Sequence, residues 1–102
     1  MAARNTTSGA LTAVSNGVTY TAGRGYGDGR FNLSVFGTFV GTVRVERSFD
    51  SGVTWLPCTN AGTVVTFTAP FTEVLIEPED AVQYRLACTA YTSGTINYRF
   101  SQ

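Results

Sequence analysis

Apolar and polar residues alternate with a period of two along most of this chain, the spacing that turns one face of an extended strand to a core and the other to solvent. Phe31, Leu33 and Val35 share one face of residues 30–36, and Val43 and Val45 stand opposite Thr42, Arg44 and Glu46 in residues 39–47. Val82, Tyr84, Leu86, Cys88 and Ala90 form a longer face of the same kind, and after a turn at Ser93-Gly94 the pattern resumes at Ile96, Tyr98 and Phe100. Residues 54–57, 63–68 and 71–76 supply further strands, and Pro57 marks an edge or a strand end because it has no N–H to give to a ladder. The punctuation agrees. Asn16-Gly17 predicts a short hairpin between residues 10–15 and 18–22, and turns follow at Asp50–Gly52, at 60–62, at Ala69-Pro70 and at 78–80. No helix of useful length fits. About seven or eight short strands with such regular turns predict an all-β, antiparallel two-sheet sandwich, with a small barrel as the alternative.

A chain of 102 residues is one domain, long enough to bury a real core without a metal. Residues 1–9 are small and polar and predict a flexible arm, leaving 10–102 as the sandwich; alternate glycines over 23–29 predict a mobile loop. Only 14% of residues are charged, and Thr, Ser and Gly fill the surface instead. The seven acids and seven bases cancel, so no long-range field draws the chain to nucleic acid or an anionic membrane. All seven bases are Arg, at 4, 24, 30, 44, 47, 85 and 99. The first residues hold no apolar run of the kind an export signal needs, so synthesis and residence in the cytoplasm are expected, and with them reduced, separate thiols at Cys58 and Cys88.

Histidine and lysine are both absent, which removes the commonest proton shuttle near neutral pH and the usual Schiff-base nucleophile. No enzyme, cofactor or metal is expected. Two distant cysteines lack the paired spacing of zinc ligands. Glu77, Glu79 and Asp80 crowd one proline turn, which is the composition of a solvated hairpin end rather than of two carboxyls across a cleft. The glycine loop lacks the Gly-Lys-Ser/Thr ending of a phosphate cradle. Tyr20, Tyr26 and Tyr91 are the rings to consider for stacking on a sugar or a protein; Tyr20 and Tyr91 are expected to cap the core, whereas Tyr26 stands between glycines with no core to join.

Three stretches carry resemblances. Ser48-Phe-Asp-Ser-Gly-Val-Thr-Trp55 is similar to the Asp-box hairpin of sialidase-like propellers and other β-proteins. There the motif is structural, which implies that Asp50 and Gly52 shape the turn, the carboxylate bonding backbone two residues on, and that Trp55 packs beneath it. The run from Pro78 to Ala90 resembles the penultimate strand of immunoglobulin-like and fibronectin-like domains, which implies that Tyr84 closes a corner through a backbone hydrogen bond. Residues 36–102, with Gly-Thr-Phe-Val-Gly-Thr-Val-Arg-Val-Glu-Arg before the Asp-box and Tyr-Arg-Leu-Ala-Cys-Thr-Ala-Tyr-Thr-Ser-Gly-Thr near the end, resemble small β-domain proteins encoded among the virion genes of tailed bacteriophages. That resemblance implies a capsid decoration or cement protein, made in the host cytoplasm and located in the virion. Its partner would be the major capsid protein or another virion protein, and it would work as a dimer or trimer. Contacts are expected from Arg4, Asn5, Thr6 and Thr7 of the arm and from Arg24 and Tyr26 of the loop. The alternative is a carbohydrate-binding or receptor-binding module of a tail or fibre, with Tyr26 in its platform. A further option is strand addition along the edge that bears Pro57.

Overall fold

The computed structural model describes residues 5–22 and 29–102, and among them every regular element is an antiparallel strand. In chain order these are β1 (Thr6–Leu11), β2 (Ser15–Asn16), β3 (Tyr20–Thr21), β4 (Arg30–Phe36), β5 (Phe39–Ser48) and β6 (Leu56–Pro57). Then come β7 (Thr59–Asn60), β8 (Thr63–Val64), β9 (Thr66–Phe67), β10 (Phe71–Ile76), β11 (Gln83–Gly94) and β12 (Ile96–Ser101). The first sheet has the order β1-β12-β4-β10, and the second β2-β11-β5-β6 with β3 also on β11 and β9 also on β5; β7 and β8 form a small separate hairpin. The sheets pack face to face and do not close on each other, so the sandwich is formed and the barrel is not.

Both sheets grow from one two-stranded ribbon folded in half. In the first sheet β12 pairs β4 (Ser101 with Asn32, Asn97 with Phe36), and in the second β11 pairs β5 (Gly94 with Phe39, Gln83 with Ser48). Register is continuous at the fold line itself, since Asn97 with Phe36 and Gly94 with Phe39 keep the same sum of residue numbers, and it shifts only farther along β11, after Cys88 and after Tyr91. The fold line runs through Gly37–Thr38 and Gly94–Thr95, where Thr95 N–H donates to the Thr38 carbonyl at 3.0 Å. Gly37 and Gly94 have φ of 107° and 92°, a region closed to most side chains. This is how a sandwich changes sheets without a loop.

Alternation then fills the space between the halves. Phe31, Leu33 and Val35 from β4, with Ile96, Tyr98 and Phe100 from β12, face Val43 and Val45 of β5 and Tyr84, Leu86 and Cys88 of β11. Tyr20 stacks on Phe100 at 5.2 Å between ring centres, and Phe31 meets Tyr84 edge-on at 4.8 Å. Each such buried side chain contributes roughly 1.5–3 kcal/mol. The Tyr98 hydroxyl accepts the Val18 N–H at 2.7 Å. Its ring fits there because Gly9 and Gly17 flank it: a Cβ at either would sit 2.8 Å from Tyr98 Cζ.

Several local expectations change. Asn16-Gly17 makes no hairpin; β2 and β3 both run along β11, and Gly17 N–H donates to the Leu86 carbonyl. Glycine is used there to admit the Tyr98 ring rather than to reverse the chain. Thr6 to Gly9, expected in a flexible arm, belong to β1 and pair with β12 from Ser101 to Tyr98. Residues 63–68 split into β8 and β9 about Val65. Irregularities after Cys88 and after Tyr91 break the period of two, so Ala90 is exposed instead of continuing the buried face. Tyr84 does not bond backbone: its hydroxyl donates to the Glu77 carboxylate at 2.8 Å. Cys58 and Cys88 are free thiols, and Pro57 lies on an edge opposite Glu46, as expected.

Candidate interaction faces

The Asp-box-like hairpin caps one end of β5. Ser48 Oγ donates to Asp50 Oδ1 at 2.7 Å and accepts the Gly52 N–H at 2.9 Å, while Asp50 Oδ1 accepts the Thr54 N–H at 2.8 Å. The Asp50 carboxylate therefore reaches four residues on, not two. The bond from the Thr54 N–H, helped by Ser48, holds the Asp50 carboxyl below its usual range. Ser51 and Gly52 turn the chain with φ of 60° and 86°, and Trp55 packs under Gly52. The indole also carries Arg85, its guanidinium carbon 4.3 Å from the ring centroid.

Arg85 belongs to an ion network on the outer face of the second sheet. Glu46 of β5 accepts Arg85 Nε at Oε1 and Arg44 Nε at Oε2, each at 2.8 Å. Burial alone would raise the Glu46 pKa, but the hydrogen bonds and charges of Arg85 and Arg44 outweigh it and hold the carboxyl below its ordinary 4.5. A carboxylate whose folded pKa is depressed stabilises the fold fully above its unfolded value, and that contribution is lost as pH falls through the folded value. Urea midpoints measured from about pH 6 down to about pH 3 should thus fall more steeply for the wild type than for Glu46→Gln. Parallel curves would show that the network does not bear on stability.

A second cluster plugs the end of the sandwich. Glu77, 1% exposed, accepts bonds from Arg47, from the Tyr84 hydroxyl and from the Glu79 N–H. Arg47 lies over the rings of Phe49 and Tyr84 at 4.7 and 5.8 Å. Glu77, expected with Glu79 and Asp80 in a solvated turn, is instead an internal brace, because the arginine and the phenol make its burial affordable. Burial, then the bond to Glu77, raises the Tyr84 pKa, and burial likewise raises the thiols of Cys58 and Cys88. Neutral thiols and phenols are poor nucleophiles. No group of three potential metal ligands occurs among the described residues.

The outer face of the first sheet is built differently. Its cross-strand rows are Thr6, Ser101, Asn32 and Val74; Ser8, Arg99, Ser34 and Thr72; and Ala10, Asn97 and Phe36. A 3.0 Å bond between the Ser34 and Thr72 hydroxyls fixes that side. No Asp or Glu occupies an outward position on these four strands. Val74, Ile76 and Phe36 are 65%, 61% and 51% exposed, and Arg99 makes no ion pair among the described residues. A shallow groove of about 330 Å³ lined by Ser34, Phe36, Pro70, Phe71 and Thr72 borders it.

Comparison with protein-family models, curated proteins and solved structures finds no match. The chain's own geometry carries the argument. Of the six expected contact residues, Arg4, Arg24 and Tyr26 lie outside the described residues. Asn5 is tied into the fold, its side chain donating to the Thr21 carbonyl at 2.8 Å and its carbonyl accepting the Gln102 N–H at 2.9 Å. Thr6 lies on the outer face opposite Ser101, whereas Thr7 pairs with Phe100 on the inner one. Tyr20 is fully buried and Tyr91 donates to the Gly94 carbonyl at 2.6 Å, so neither offers a free platform. The edge at Pro57 is only two residues long, too short to template an added strand. Sequence reasoning missed Arg99, Phe36 and Val74. The signal for the last two was present, as apolar residues out of phase with the buried positions of their strands.

Proposed function

We propose that this chain is a non-enzymatic structural protein of a bacteriophage particle, a capsid decoration or cement protein bound to the shell. The observation that carries this reading is the contrast between its two sheets. One outer face carries the chain's own network of Glu46 with Arg44 and Arg85, and the other has no acid at an outward position and exposes Phe36, Val74 and Ile76. Such a domain offers adhesion rather than turnover, since its buried acid is tied up and its thiols and phenol keep their protons. The resemblance of residues 36–102 to virion β-domains supplies the class of partner. A carbohydrate-binding role on a tail or fibre rests on Tyr26 and has no support among the described rings.

The test is co-sedimentation of the purified protein with capsid shells prepared from a phage lacking this gene. Saturable binding at a fixed number of copies per shell supports the reading. Failure to bind shells, together with reproducible glycan-array signals lost in Tyr26→Ala, would replace it with the carbohydrate one.

A further inference from the structure

We infer that the acid-free outer face of the first sheet is the docking surface, and that its occupant is a carboxylate-bearing patch on the shell protein, seated around Arg99. This rests on the shell-binding reading above. Arg99 lies on β12, the second strand of the sheet, with Ser8, Ser34 and Thr72 across its row and Asn97 and Ser101 on the same side of its own strand. Elsewhere on the fold arginines find carboxylates: Arg44 and Arg85 share Glu46, and Arg47 holds Glu77. Arg99 has no such partner among the described residues, and no Asp or Glu holds an outward position on the four strands of its face. Interface centres characteristically keep arginine and aromatic residues while shedding Asp and Glu; this face shares the lack of acids and carries Arg99, Phe36, Val74 and Ile76, set among the small residues Ser8, Ser34, Ser101 and Ala10.

Charge selects among occupants. A second copy packed face to face about a two-fold axis would bring one Arg99 towards the other, with no acid between them. A partner carboxylate instead meets the guanidinium fork in bidentate geometry, with neighbouring hydroxyls and amides available to its remaining lone pairs. Strand addition along the free edge of β10 is opposed by Glu73, which pairs in register with buried Leu33 and so points inward at an exposed edge. The geometry therefore favours face-on docking.

The experiment compares Arg99→Glu, Arg99→Lys and Val74→Asp with wild type in the same shell-binding assay, with Val53→Asp at the distant hairpin tip as control. All three positions are solvent-facing, and circular dichroism verifies that each of the four variants keeps the fold. Arg99→Glu and Val74→Asp should each weaken binding about tenfold or more, Arg99→Lys less, and Val53→Asp not measurably. Wild-type affinity in Arg99→Glu would overturn this inference while leaving shell binding intact. Equal loss in Val53→Asp would also overturn it, by showing that binding is not specific to this face. No binding by the wild type would remove the shell reading and this inference with it.

Discussion

Gly94→Ala should abolish cooperative folding or lower stability by more than about 4 kcal/mol, whereas Gly62→Ala should cost only about 1 kcal/mol. Both glycines have positive φ, 92° and 84°, so both replacements carry the strain of a left-handed residue. Their surroundings differ. A Cβ at Gly94 would collide with the Thr38 carbonyl oxygen and lie 2.6 Å from Phe39 Cα, whereas one at Gly62 would meet nothing within 4 Å. The atoms in the way at Gly94 are backbone of the opposite ribbon strand, at the point where both sheets bend, and they have no rotamer into which to retreat. Urea unfolding followed by Trp55 fluorescence measures both variants. Similar shifts for the two would mean that the bend tolerates a methyl group and that the ribbon is not the hinge of the fold.

Glu77→Ala should destabilise by about 3 kcal/mol, against about 1 kcal/mol for Tyr84→Phe. The acid is nearly fully buried and its removal strands three donors at once: Arg47, the Tyr84 hydroxyl and the Glu79 N–H. Arg47 retains 33% side-chain exposure, so water relieves part of the penalty and the effect belongs at the lower end for a broken buried pair. Tyr84→Phe removes only one bond and leaves the ion pair. The double variant Glu77→Ala with Arg47→Ala should lose less than the two single losses combined, since the stranded charge is then absent. Thermal unfolding at neutral pH reads all four proteins, and strict additivity would show that the two side chains do not act as a pair.

The fold class was legible because residues 30–36 and 82–88 obey one period without interruption, and every such residue placed inward by the pattern is buried. Asp50 and Gly52 were legible as a turn because their chemistry is local. What escaped detection depended on distant partners. Asn16-Gly17 carries hairpin residues, yet the ring of Tyr98, far along the chain, claims Gly17 and keeps it extended. Glu77 reads as a surface acid until Arg47 and Tyr84 are brought to it. Glu46 falls on a polar face that arginines then cover. Thr6 to Gly9 show no periodicity of their own and gain strand structure only from β12. The outer face followed the same rule: Arg99 is one arginine among seven in the sequence, and only the register reveals that no acid accompanies it.

The position of β12 between β1 and β4 governs how the polypeptide is made as well as how it stands. While the ribosome is still adding residues beyond Ile76, β1, β2 and β3 have no neighbour to pair with, because their partners lie within residues 83–101. Folding of this sandwich must wait until β11 and β12 have been made, with strands of high contact order held apart in the meantime. A slow, late-closing maturation is therefore built into the topology, and exposed edges during that interval are what a crowded cell would have to guard.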